Sequence, residues 1–255
     1  MFDARTLATL CYAQGKWFPM GMQRLRQSLD TFKLARTDYF WLDELPPHCP
    51  THQQSPYAFK YFALEHARAN AHRFGWWLDS SLVMVGGHDR IVSHTLAHGL
   101  YLSRFRSYTV GQYTSDEALD TLKLTRDEAM TIPMVDANTI LLDFNHPAAC
   151  ELLQTMLELA LRPGLFAGPW TNENNAISKD PRVLGHRHDQ SVLSVVVHRM
   201  KRQTFAFSDL ITRSSLHYRL FEKGTFVCRR ACVESELRGR VGSLPWRVRQ
   251  KLGGL

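Results

Sequence analysis

Long apolar runs are missing from this 255-residue chain. Nothing in it approaches the ~18 to 20 consecutive apolar residues of a membrane-spanning helix, so no span is expected. The opening Met1-Phe2-Asp3-Ala4-Arg5 also lacks the basic-then-apolar layout of a secretory signal. A soluble, cytoplasmic protein with no membrane partner is the expectation. Cysteine is sparse: Cys11, Cys49, Cys150, Cys228 and Cys232 are odd in number and scattered. They contain no Cys-x-x-Cys pair, which argues against a disulfide framework or a zinc clasp and leaves reduced thiols. Internal repeats and low-complexity tracts are absent. Gly168 and Gly185 are isolated, with no phosphate-loop pattern around them. His94-Thr95-Leu96-Ala97-His98 has the spacing of a zinc helix, but Thr95 stands where a zinc protease needs glutamate, and a polar helix face is expected instead.

What is present is an ordinary globular composition, 44% hydrophobic and 22% charged, sufficient to bury the core of one large α/β domain or two small ones. The formal charge of +7 is unevenly placed. Between Lys223 and Leu255 eight Lys/Arg face only Glu234 and Glu236, so +6 of the excess lies in the tail. This divides the chain into a body, 1–222, and a basic C-terminal extension, 223–255. A local basic surface suits a polyanion such as nucleic acid or a diphosphate, although solubilising tails have the same composition.

Along the body, Arg5 to Tyr12 is a short apolar run ended by the breaker Gly15, and Met20 to Phe32 places Leu25, Leu29 and Phe32 on one helical side. Tyr39 to Leu42 is a candidate strand. The proline-rich segment Pro46 to Pro56 cannot form ladder or helix bonds and is expected as a surface loop over a site. Tyr57 to Ala69 returns to helix, and Gly75 to Val85 reads as one buried strand interrupted by Asp79-Ser80-Ser81. A helix is expected around Ile91 to Leu100, an acidic one near Thr114, a strand at Thr139 to Asp143 and a helix from Pro147 to Leu161. Alternating strands and helices predict a mostly parallel sheet covered by helices. Gly185 to Met200 puts a polar knot at the start of a helix whose Val192, Val195, Val196 and Met200 share helical spacing. Backbone N–H groups there favour a carboxylate such as Asp189.

Asp79, between Trp76-Trp77-Leu78 and Leu82-Val83-Met84-Val85, must sit at a strand end or be paired. Carboxyl ends of strands are where α/β sheets bind ligands, and a carboxylate there suits Mg²⁺ or Mn²⁺ against a diphosphate. Asp-Ser-Ser is equally good capping chemistry, and the segment alone does not separate the two.

Taken together, Trp77-Leu78-Asp79-Ser80-Ser81 after an α/β opening, Tyr57-Ala58-Phe59-Lys60 before a helix, and His188-Asp189-Gln190-Ser191 late in the chain resemble the GT-A nucleotide-sugar glycosyltransferases over most of residues 5 to 220. The resemblance implies a GT-A, Rossmann-like fold and a donor diphosphate held with a divalent metal, Mn²⁺ or Mg²⁺, by an Asp-x-Asp motif falling on Asp79 and Ser81. Ser81 departs from the family's second aspartate, which places metal dependence on Asp79, phosphate oxygens, water and a later ligand. His217 is the best positional match for that ligand, with His186 and His188 as rivals. The resemblance further implies that Tyr12 and Gly15 cradle the nucleoside, that Lys60 reaches the diphosphate, and that Trp77 belongs to the nucleotide-sugar site; metal-bound phosphate, Lys60 and Arg187 are expected to stabilise the leaving group.

Asp189 matches the family's acceptor-side acidic motif. It is the candidate base if transfer inverts the anomeric centre, and a substrate-positioning group if it retains it. Trp170, Asn172, His186 and His188 are expected on the acceptor side. The donor is expected to be UDP-linked. Small size and the basic tail also suit a phage-type enzyme acting on hydroxymethylated bases in DNA, which must flip its target base. A transferase acting on a glycan, a metal-dependent nuclease using Asp79, Asp189 and the histidines, and a non-catalytic nucleic-acid binder are the alternatives.

Overall fold

A computed structural model describes residues 6–206, 211–212 and 226–228. His217 and, apart from 226–228, the basic extension lie outside the described residues. The main sheet has six strands: β1 (Leu7–Ala13), β2 (Thr37–Leu42), β3 (Phe74–Leu78), β5 (Leu100–Thr109), β6 (Pro133–Asp143) and β7 (Phe205–Ala206). Their order is β2-β1-β3-β6-β5-β7. Every neighbour is parallel except where β6 runs against β3 and β5. The mixed, mostly parallel α/β sheet expected from the alternation is therefore present.

Strand alternation sends the two rows of side chains into two cores. Leu7, Cys11, Phe74, Trp76 and Leu78 pack beneath α1 (Phe18–Thr31) and α3 (Asp89–His98). Ala8, Leu10 and Trp77 face the larger core, to which α2 (Phe59–Ala69), α6 (Pro147–Ala160) and α7 (Asp189–Arg199) contribute their apolar sides. Two short helices, α4 (Asp116–Leu122) and α5 (Arg126–Met130), are started by Ser115 and Thr125, whose hydroxyls accept from Ala118 and Glu128 N–H groups. No helix among the described residues is long and apolar enough to cross a membrane.

Three expectations change. Gly75 to Val85 is not one strand: Asp79-Ser80-Ser81 is a turn, closed by Leu82 N–H donating to Asp79 O at 2.9 Å. After it β4 (Leu82–Met84) joins a second sheet, ordered β4-β9-β8, with β8 (Ile211–Thr212) and β9 (Phe226–Cys228). Asp79 thus stands at a strand end and opens a turn closed through the backbone. The strand expected at Thr139 to Asp143 begins six residues earlier, at Pro133. Its partner β5 was not foreseen, because Leu100-Tyr101-Leu102 looks like a helix tail until Gly99, in the left-handed region at φ 83°, ends α3. Tyr101 opposes Leu141 whereas Ser103 opposes Asp136, so β6 bulges between these pairs, around Asn138.

Candidate functional site

A cavity of about 1000 Å³ opens where β1, β3 and β5 end and the bulged half of β6 begins. This is the position at which open α/β sheets leave room for ligands.

Its floor carries three charged groups. Asp79 prolongs the β3/β6 ladder by one step, its N–H donating to Asn138 O at 2.8 Å. Its Oδ1 accepts from the Trp77 indole Nε1 at 3.2 Å. Lys60, at the second position of α2, is 4% exposed and reaches Asp189 Oδ2 at 3.0 Å. The Tyr61 hydroxyl donates to the same oxygen at 3.2 Å, while Asp189 Oδ1 makes no hydrogen bond among the described residues. Burial pushes the Asp189 carboxyl up to about 6, against the opposing pull of Lys60. For Lys60, burial favours the neutral amine, but Asp189 and Asp79 outweigh it and its pKa is raised. Burial and the Asp189 carboxylate likewise hold the Tyr61 hydroxyl protonated, well above its ordinary range. A pair this deeply buried rests on mutual compensation, since either charge alone would carry its full desolvation cost.

Aromatic side chains form the wall. Tyr12 packs on Phe59 at 4.6 Å between ring centroids, Phe59 on Tyr57 at 5.8 Å, and Tyr57 on Trp170 at 5.9 Å. The Arg187 guanidinium then lies 4.6 Å from the Trp170 ring and 4.8 Å from Tyr113. Tyr113 continues through Tyr108 to Phe105, each step 5.2 Å. All eight residues line the cavity. The chain crossing that joins Trp170 to Arg187 depends on Gly185. His186 N–H donates to Pro169 O at 2.9 Å and Asn172 N–H to Leu184 O at 3.1 Å, and a Cβ on Gly185 would lie 1.9 Å from Trp170 O.

Of the residues singled out in the sequence, Tyr12, Gly15, Lys60, Asp79, Ser81, Trp170 and Asp189 come together around this cavity. Gly15 adopts φ 77° in the turn after β1 and donates its N–H to Asp43 Oδ1 at 3.1 Å. Trp77 lies in the core, 1% exposed, behind the cavity lining: its indole donates to Asp79 and its ring packs on Phe59 at 5.5 Å. Asn172 spends its amide on its own loop, donating to Ser178 O and Val183 O and accepting from the Ile177 and Ser178 N–H groups. His186 and His188 are buried behind the wall. His186 Nδ1 accepts from Ser115 N–H at 3.2 Å, and His188 Nδ1 donates to Phe166 O at 2.8 Å. Burial lowers both imidazoles, to about 3 and about 4, so they are neutral supports at ordinary pH. His188 also takes φ 51°, an uncommon conformation outside glycine that turns the chain into α7. Phe105 and Tyr108 were missed with β5 and Tyr113 with the turn after it; Tyr101, Phe105 and Tyr108 stand four and three apart, which is helical spacing and not the alternation of a strand. His94 and His98 stack at 4.3 Å on α3, with burial lowering His94 to about 4, away from the cavity.

Asp79 and the Ser81 hydroxyl offer hard oxygen donors, but only one of them is anionic. No group of three His, Cys, Asp or Glu among the described residues is arranged to hold a metal ion. Such a donor set fits Mg²⁺ or Mn²⁺ carried in by phosphate oxygens, not an ion caged by protein.

No family model and no curated protein sequence matches the chain. Among solved structures, it is similar to a glycosyltransferase involved in glycosylation of the major capsid of PBCV-1, with 11% identity and a TM-score of 0.47 over 90% of this chain and 95% of that one. Mouse xyloside xylosyltransferase 1 matches with 10% identity and a TM-score of 0.46, covering 88% and 97% of the two chains. The glycosyltransferase GlyE of Streptococcus pneumoniae matches with 12% identity and a TM-score of 0.42, over 79% of this chain and 45% of its own.

Proposed function

We propose that the chain is a glycosyltransferase that moves a sugar from a nucleoside diphosphate sugar, of uridine type, to an acceptor hydroxyl. The observation that carries the reading is the buried Lys60–Asp189 pair beside Asp79, on the floor of a cavity at the carboxyl ends of parallel strands. In this reading Tyr12 and Gly15 receive the nucleoside, and the diphosphate lies between the Asp79 turn and Lys60. Asp79 and Ser81 would hold a divalent ion that arrives with the phosphates, which supplies charge neutralisation to the leaving group. The bond between the anomeric carbon and the diphosphate breaks, and the new bond forms to the acceptor oxygen. Lys60 meets the charge left on the diphosphate. The acceptor proton goes to Asp189 Oδ1, the oxygen not engaged by Lys60 or Tyr61. An acid of pKa about 6 is placed to be ionised, and so to act as a base, near neutral pH.

The charge behind a hydroxymethylated-base acceptor in DNA belongs to residues 223–255, and the cavity supports a saccharide acceptor more directly. The test is a panel of nucleotide sugars incubated with the protein and Mn²⁺ while free nucleoside diphosphate is measured. Slow, acceptor-independent release from a UDP-sugar is expected. Binding and hydrolysis of none of them, or cleavage of DNA without any nucleotide sugar, would overturn the reading in favour of a binder or a nuclease.

A further inference from the structure

Building on the sugar-transfer reading, we propose that the acceptor carries an anionic substituent, a sugar carboxylate or a sugar phosphate, which Arg187 reads from its place between Tyr113 and Trp170. Arg36, Arg73, Arg126 and Arg182 each close on a carboxylate. The Arg187 guanidinium makes no hydrogen bond or ion pair among the described residues, and its side-chain contacts are the two rings. Among the described residues its donors are therefore unspent, on a half-buried side chain that lines the cavity.

Two aromatic contacts restrict the guanidinium before any ligand arrives, so little side-chain freedom remains to be lost on binding. Restricted, half-buried and without a carboxylate among the described residues, it is suited to two-pronged recognition of a carboxylate or phosphate. The rings on either side extend this subsite. Trp170 and Tyr108 are 44% and 40% exposed, and offer faces on which a sugar ring can stack.

A polynucleotide is the less fitting occupant. Tracking a phosphate backbone takes several cations, whereas among the described residues the Lys and Arg that line the cavity are Lys60 and Arg187. One unspent guanidinium answers one anion.

The test compares ligands that differ only in charge, by calorimetry on the full chain without a donor: 4-nitrophenyl β-D-glucuronide against the glucoside for a carboxylate, and glucose 6-phosphate against glucose for a phosphate. In at least one pair the anionic member should bind roughly tenfold more tightly, the scale of one charge-assisted contact. Arg187→Gln should erase that preference and leave UDP affinity unchanged, while Arg187→Lys should retain part of it; thermal melting verifies that both variants fold. Equal affinities, binding of neither pair, or a preference that survives Arg187→Gln would overturn the proposal. A parallel loss of UDP affinity would assign Arg187 to the donor diphosphate instead, and tighter binding of a single-stranded oligonucleotide than of every sugar probe would assign the wall to nucleic acid. Failure of the sugar-transfer reading itself has a separate signature, the absence of UDP binding and of UDP-sugar hydrolysis.

Discussion

The floor and the wall of the cavity are built on different physical terms. Asp79, Lys60 and Asp189 sit at the ends of β3, α2 and α7, and the two members of the ion pair are nearly sealed from solvent. Trp170 and Arg187 sit on loops that cross at Gly185, and Tyr108 near the end of β5; Trp170 and Tyr108 are exposed and Arg187 is half-buried. Groups fixed by regular structure and burial can hold a charge where a reaction develops one. Side chains on exposed segments recognise what arrives, and can change without disturbing the sheet. Lesions in the floor should therefore damage rate, and stability too where they break the buried ion pair, whereas lesions in the wall around Trp170, Arg187 and Tyr108 should damage acceptor recognition.

The sharpest way to break that division is at Asp189. Asp189→Asn should reduce kcat by about 10²- to 10⁴-fold, the range of a general base, with UDP-sugar affinity preserved in calorimetry. The acidic limb of the rate profile, expected near the carboxyl's pKa of about 6, should disappear with it. Collapse of donor binding would move Asp189 to the donor half of the floor. Asp79→Asn should remove at least ~10-fold of the transfer rate, since a neutral amide no longer supports charge at the diphosphate. Its melting temperature should stay close to wild type, because the backbone bond to Asn138 O is untouched. Activity equal to wild type would deny Asp79 any part in transfer.

Lys60→Met sharpens the comparison through stability. It strands a carboxylate that is 2% exposed, and removal of one member of a buried pair costs about 3 to 5 kcal/mol. Chemical denaturation should register that loss. Gly185→Ala tests the wall: the added Cβ would meet Trp170 O, so the crossing must shift and the stack around Arg187 with it. Transfer to acceptor should fall by roughly tenfold, while acceptor-independent UDP-sugar hydrolysis continues. Equal loss of both reactions would show that floor and wall are one unit.

Legibility in the sequence follows the same line. The floor was readable because it breaks local rules: an aspartate inside an apolar run, a lysine at a helix start, a carboxylate in a polar knot. The wall was readable only in part. Trp170 and Arg187 stood out singly, but Tyr108 depends on β5 and Tyr113 on the turn after it, and no spacing links Arg187 to residues 113 and 170. That link is made by a chain crossing, a tertiary event with only the isolated Gly185 to signal it. Asn172, His186 and His188 illustrate the opposite difficulty, since polar residues that organise a loop look in sequence like polar residues that face a ligand. Trp77 reads as a ligand-facing aromatic, yet its indole is spent on Asp79.

The smallest expected effect is a pH dependence of stability that belongs to the floor alone. Asp189 in the folded protein holds its proton up to about pH 6, whereas an unperturbed aspartate releases it near 3.8. Between those values the native state binds more protons than the unfolded chain, so stability falls as pH rises through the window. Above pH 6 the carboxylate is ionised in both states and no further change arises from it. The whole shift is worth at most about 3 kcal/mol, and a fraction of that moves the melting temperature of a chain this size by only a few degrees. Other carboxylates titrate in the same range with the opposite sign, Asp180 among them, held down to about 2 by Arg182. The measurement is therefore a difference, the melting temperature of wild type minus that of Asp189→Asn from pH 4 to pH 7. That difference should decline between pH 4 and 6 and then level off, while the same curve for Arg187→Gln stays flat. A difference that rises through the window would mean that Lys60 stabilises the Asp189 charge more than burial opposes it, and the carboxyl would then be too weak a base to serve the acceptor near neutral pH.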